Sequence, residues 1–112
     1  MTDKIVVLVT AGSMRECKKI ARHLLDRQLI ACANVVPAIR SLYRWKGKIA
    51  DEQECLMVLK SSRDSFPDLQ KEIDKLHSYS VPEVIALPII DGSPNYLNWI
   101  SESVGQARHG RK

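Results

Sequence analysis

ACANVVPAIRSLYRWKGKIADEQECLMVLK, residues 31–60, holds two β-rich runs on either side of a tight turn at Lys46-Gly47-Lys48. Ala31 to Trp45 is dense in β-branched, apolar and aromatic residues, the side chains that suit a pleated, half-buried surface. Pro37 cannot donate to a ladder, so it predicts a bulge or an edge position. Ile49 to Lys60 returns as a second strand, with Glu54, Leu56, Val58 and Lys60 on one face and Cys55, Met57 and Leu59 on the other. Strands of about 12–15 residues at about 3.3 Å each reach roughly 40–50 Å. A domain of this length has a radius of gyration near ~13 Å, so its own sheet is too small to cover such a hairpin. The tip carries Leu42, Tyr43, Trp45 and Ile49, an apolar set that one copy leaves wet. Pairing with a symmetry mate, in a cyclic trimer or a dimer, shelters the tip and closes the sheet edges.

The flanking segments give the hairpin its place. Lys4 to Ala11 is an apolar run without polar alternation, the pattern of a strand buried on both faces. Ser13-Met14-Arg15-Glu16 is a capping box. Behind it Cys17, Ile20, Ala21, Leu24 and Leu25 keep helical spacing, which predicts a helix over Met14 to Gln28. Ser61 to Ser65 reads as a loop. Phe66, Leu69, Ile73 and Leu76 form the stripe of a second helix, with Pro67 in its first turn. Val84 to Ile90 reads as a fourth strand. Ser93 and Pro94 open a third helix that ends near Val104. The order β-α-β-β-α-β-α begins with the split βαβ pattern. The fold class is α+β: a ferredoxin-like sandwich over residues 1–104 with a C-terminal helix, followed by a basic flexible tail over residues 105–112.

Composition narrows the function classes. The 112 residues are 45% apolar and 27% charged, ordinary for a globular domain. The net charge of +4 draws +3 from Arg108, Arg111 and Lys112 in the tail, so the body offers no concentrated basic face and nucleic acid is not an expected partner. The apolar run Ile5 to Val9 is too short for a signal sequence or a membrane span, which predicts a cytoplasmic protein. Cys17, Cys32 and Cys55 include no C-x-x-C pair, which argues against a disulfide framework and a structural zinc site.

No phosphate-cradling, dinucleotide, nucleophile-elbow or zinc-protease motif is present, and no nucleophile–base pair emerges from spacing, so an enzyme is not expected. His23 falls on the polar side of the first helix and reads as solvated; His109 lies in the tail. His77 closes the second helix, where an imidazole suits the negative helix end, and Tyr79, Pro82 and Glu83 follow closely. One imidazole and one carboxylate leave a metal shell incomplete, so further ligands would come from a neighbouring subunit or water. Cys32 opens the long strand as either a buried thiol or a soft ligand for copper(I). Cys17 and Cys55 read as packing. Tyr43, Trp45, Tyr96 and Trp99 read as interface and core aromatics.

Several of these segments together resemble one family. Leu29-Ile30-Ala31-Cys32-Ala33-Asn34-Val35-Val36-Pro37 and Ser41-Leu42-Tyr43-Arg44-Trp45-Lys46-Gly47-Lys48-Ile49 resemble the signature hairpin of CutA, the divalent-cation tolerance family. Glu54-x-x-x-Val58-Leu59-Lys60-Ser61, His77-Ser78-Tyr79-Ser80-Val81-Pro82-Glu83 and Pro88 to Trp99 extend the likeness over about Lys4 to Val104. The resemblance implies a ferredoxin-like homotrimer locked through the long hairpin, cytoplasmic, with a role in tolerance of copper(II) or another divalent cation. Bacterial relatives are associated with copper held by a strand-one cysteine and two adjacent histidines. Here Val9 and Leu76 stand at two of those three positions, leaving His77 as the matched ligand, with Cys32 and Glu83 as further candidates. The alternative is a trimeric small-molecule sensor or partner-docking protein like the nitrogen-regulatory PII proteins. Its clefts between subunits would be lined by Lys60, Glu54, Tyr79 and Glu83.

Overall fold

The computed structural model describes residues 2–105. Lys4–Ala11 (β1), Met14–Asp26 (α1), Cys32–Trp45 (β2), Lys48–Ser62 (β3), Phe66–Leu76 (α2), Val84–Pro88 (β4) and Pro94–Ser103 (α3) follow one another, with a single 3₁₀ turn at Arg63–Ser65 before α2. The strands form one antiparallel sheet in the order β2-β3-β1-β4, with the first and third strands central, as the split βαβ pattern requires. The basic tail expected over residues 105–112 lies outside the described residues beyond Gly105.

Ser13 caps α1, its hydroxyl accepting from the Glu16 amide at 3.1 Å. The helix stops two residues short of Gln28 because that residue adopts φ 56. The Gln28 amide then donates to the Leu25 carbonyl and the Leu29 amide to the Leu24 carbonyl, a Schellman closure made without glycine. Ser61 and Ser62, expected in a loop, extend β3 because β1 continues opposite them to Lys4. The fourth strand ends at Pro88 rather than Ile90, although the Ile89 amide still donates to the Lys4 carbonyl.

The core lies between one sheet face and the helices α1 and α2. Ile5, Val7 and Val9 of β1 meet Met57 and Leu59 of β3, and Ile20, Leu24, Leu69 and Ile73 close over them. Helix α3 makes a smaller cluster in which Ile100 and Val104 pack on Ala31. The other sheet face behaves differently. Val6, Leu8, Leu56 and Val58 on the central strands are only half-buried. Beside them Ile85 and Leu87 of β4 are 48% and 46% exposed and Val36 of β2 is 41% exposed. β1 was expected to be buried on both faces; within one chain the helix side is covered throughout, the other face only at its ends, Lys4 and Thr10. The hairpin stretches the molecule to 46 Å along its longest axis with a radius of gyration of 14.7 Å. Its tip leaves Leu42 65% and Ile49 71% exposed.

Candidate functional site

The site begins with one irregularity in the hairpin. Inside the sheet Asn34 pairs with Val58 and Val36 with Leu56; beyond a bulge at Pro37–Ala38, Ile39 pairs with Glu54 and Ser41 with Glu52. The proline expectation is met, and the Pro37 carbonyl accepts from the Cys55 thiol at 3.0 Å. One extra residue exchanges the faces of the outer strand. Odd-numbered Ser41, Tyr43 and Trp45 therefore share a face with Glu52 and Glu54, while Arg40, Leu42 and Arg44 point the other way. The turn at Lys46 (φ 51) and Gly47 (φ 78) is a two-residue loop closing on the Trp45–Lys48 pair, with both residues in the left-handed conformation that matches strand twist.

The segment after α2 folds back over the end of β1 and the root of this arm. His77 anchors it. Its ring is buried, Nε2 lies 2.7 Å from the Thr10 carbonyl and Nδ1 lies 3.1 Å from the Tyr79 amide. A carbonyl only accepts and an amide N–H only donates, so the proton sits on Nε2 and the Nδ1 lone pair faces the Tyr79 N–H. Ser78 is held by Glu16, whose Oε2 accepts from the amide at 2.7 Å and whose Oε1 accepts from the hydroxyl at 3.1 Å. Burial raises the Glu16 pKa, but these bonds outweigh it and hold the carboxyl below its ordinary 4.5.

A cleft of about 700 Å³ opens between this segment and the arm, lined by Thr10, by Arg40 to Tyr43 with Trp45, Glu52 and Glu54, and by Tyr79 to Val81 with Glu83. Glu54 is only 5% exposed, and its Oε2 accepts from the Tyr79 hydroxyl at 2.7 Å. Tyr43 donates to Glu52 Oε1 at 3.1 Å. Burial first, then the bond to Glu54, push the Tyr79 phenol well above its usual value; the bond to Glu52 leads the rise at Tyr43. Both phenols thus keep their protons and spend them on carboxylates.

The residues singled out from sequence do not all meet. Glu54, Tyr79 and Glu83 do converge on the cleft, within one chain. Lys60 does not: six residues along β3, its ammonium bonds the Asn34 side chain and lies 3.8 Å from Cys32 Sγ. Cys32 is half-buried, with its sulfur also 3.6 Å from the Tyr96 hydroxyl. It pairs with Lys60, whereas Thr10, the acceptor for His77, pairs with Leu56, so the two candidate ligands sit about 13 Å apart along the sheet. Cys17 is buried and burial pushes its thiol up to about 12, in keeping with packing. His23, expected to be solvated, instead bonds Glu72 Oε1 at 2.7 Å and ties α1 to α2. The cleft roles of Tyr43, Trp45 and Glu52 were missed. Counting pairs back from the two-residue turn would have put Tyr43, Ser41 and Glu52 on one face.

The chain matches the family described as CutA1 divalent ion tolerance protein over residues 5–103. It belongs to the CutA1 family. The "Divalent-cation tolerance protein CutA" of Thermus thermophilus is 42% identical over 100 residues, covering 89% of this chain and 97% of that one. A chloroplastic CutA protein of Arabidopsis thaliana is 41% identical over 99 residues, covering 88% of this chain. The chain spans only 54% of that longer relative. The solved CutA1 structure from Thermus thermophilus superposes with a TM-score of 0.89 at 41% identity, covering 91% of this chain and 99% of that one.

CutA1 membership raises the question of a divalent ion, and the candidate ligands fit one poorly. No group of three His, Cys, Asp or Glu side chains suited to a metal occurs among the described residues. The one lone pair on the His77 ring is engaged by a backbone amide. Cys32 stands four residues away along the strands, and Glu83 is exposed on the lining of a cleft that Cys32 does not reach.

Proposed function

We propose that the protein works as a homotrimer in tolerance of divalent cations, by binding rather than by catalysis. The observation that carries this is the uncovered apolar surface: the second face of the sheet and the tip of an arm that one chain cannot shelter. Seven half-buried or exposed aliphatic side chains on one sheet face are the composition of an interface core, and a closed cyclic arrangement hides both the face and the sheet edges. The relatives' names supply the link to divalent cations, copper(II) being the ion the sequence likeness favours. No described helix is long and apolar enough to cross a membrane, and a cytoplasmic setting is the reading we adopt, although the Arabidopsis relative is described as chloroplastic.

Sedimentation velocity at micromolar concentration tests the assembly. A single species at three times the 12.7 kDa chain mass is the expected result. A folded single chain under those conditions would end the reading.

A further inference from the structure

We propose that the solvent-facing ridge of α1 is a docking surface for a short acidic segment of a partner protein. It goes beyond the assembly reading and uses the opposite side of the molecule: the proposed trimer hides the second sheet face and the arm tip, whereas α1 packs on the helix side. Cys17, Ile20, Ala21 and Leu24 point into the core. Arg15, Lys18, Lys19 and Arg22 are all exposed. At about 100° per residue they fall within an arc of roughly 100°, opposite the buried stripe. The small net charge of the body conceals this segregation.

The ridge is electrostatically unfavourable in the free protein. Arg15 stands three and four residues from Lys18 and Lys19, and Arg22 stands four and three from the same two. Each close pair along the ridge is therefore like-charged and destabilises the helix. Arg15 also lies in the first turn, where the helix dipole disfavours a cation. None of the four forms an ion pair among the described residues. The sole carboxylate between Met14 and Leu25, Glu16, is spent on Ser78 of the loop after α2. On the flank toward α2, by contrast, His23 and Arg27 are both answered by Glu72. The helix pairs its cations where it meets the protein and leaves four unpaired where it meets solvent.

An anion relieves this repulsion, and the shape of the ridge selects which. It is convex, and none of the four residues lines the cleft, so a small free anion has nothing to enclose it. From Arg15 to Arg22 is roughly 10 Å at about 1.5 Å per residue, and Asp26 closes the ridge. A nucleic acid duplex, with a charge every ~1.7 Å of axis, would leave most of its length unanswered there. About four carboxylates on one side of a short segment match both the length and the charge. The arm of another copy does not, because its tip carries Arg44, Lys46 and Lys48.

Fluorescence anisotropy of a labelled octaglutamate peptide, titrated with the assembled protein at low ionic strength, tests the proposal against octaglutamine and a short DNA duplex. The expected result is saturable octaglutamate binding that weakens steeply with salt, with none for octaglutamine. Binding should fall at least tenfold in the double variant Lys18→Gln, Arg22→Gln and stay within twofold of wild type in the remote double variant Lys48→Gln, Arg63→Gln. The thermal midpoint of the first double variant should hold level or rise, since like-charge contacts are removed; a fall would show that these cations hold the fold and would overturn the premise. Arg15→Gln, expected to weaken binding at least twofold, keeps the test open if the double variant assembles poorly. Equal weakening in both double variants, tighter binding of the duplex than of the peptide, or no peptide binding would each overturn the proposal. Sedimentation of the same samples reads the assembly separately: peptide binding by a single chain would end the trimer reading alone.

Discussion

His77 shows how a residue type that suggests a ligand is read differently once its neighbours are known. From spacing it was an imidazole at a helix end beside a tyrosine and a glutamate. In the fold it is a two-ended brace between the Thr10 carbonyl and the Tyr79 amide, and the segment it holds forms one wall of the cleft. Substitution by alanine leaves both backbone groups without their partner inside the protein and should cost roughly 2–4 kcal/mol, measured by denaturant unfolding. Copper(II) titration of the milder His77→Gln, under conditions where it is folded, should give the wild-type isotherm. Loss of copper binding in that variant would return His77 to the ligand set. Backbone partners such as these are invisible in sequence, since any residue supplies a carbonyl or an amide.

At the scale of elements the sequence was most legible. Apolar runs and periodicities placed the four strands and the first two helices, Ser93 and Pro94 the third helix, and Pro37 the bulge, because all of these signals act locally. What failed were endings that depend on the neighbour: β3 runs on to Ser62 because β1 lies opposite it, and α1 stops at a glutamine with positive φ. Cleft membership was half legible. Glu54, Tyr79 and Glu83, expected in a cleft between subunits, line a cleft within one chain, whereas Lys60 shares Glu54's strand face but stands six residues along it, too far to join them. The turn offers a direct check on element-level reasoning. Lys46 holds φ 51, a conformation asparagine adopts with far less strain. Lys46→Asn should stabilise the hairpin by on the order of 1 kcal/mol, seen as a higher thermal midpoint. A lower midpoint would mean that the lysine side chain has a role at the tip.

For the molecule as a whole, the uncovered sheet face and the long arm belong together. Ile85 and Leu87 sit on the outer strand of that face and belong to neither the helix-side core nor the cleft lining. Changing both to lysine should leave the secondary structure intact by circular dichroism while shifting the sedimenting species toward the single chain. An unshifted trimer would place the subunit contact elsewhere. The sequence foretold the arm's excess length from residue counts alone. It did not foretell the bare sheet face, because an apolar strand looks the same whether a helix or another copy covers its second side.

The bulge at Pro37–Ala38 also bears on how the chain tolerates change. It joins two numbering phases, one dictated by the packed body and one by the two-residue turn, and neither end can yield without harm. Straightening from the turn inward would drive Asn34 toward the core; straightening from the body outward would reopen the turn. A proline, with no N–H to offer the ladder, stands at the one place where such a slip would start. The arm's sequence can therefore drift in composition, without any alteration to the core, so long as its phase relative to the body is kept.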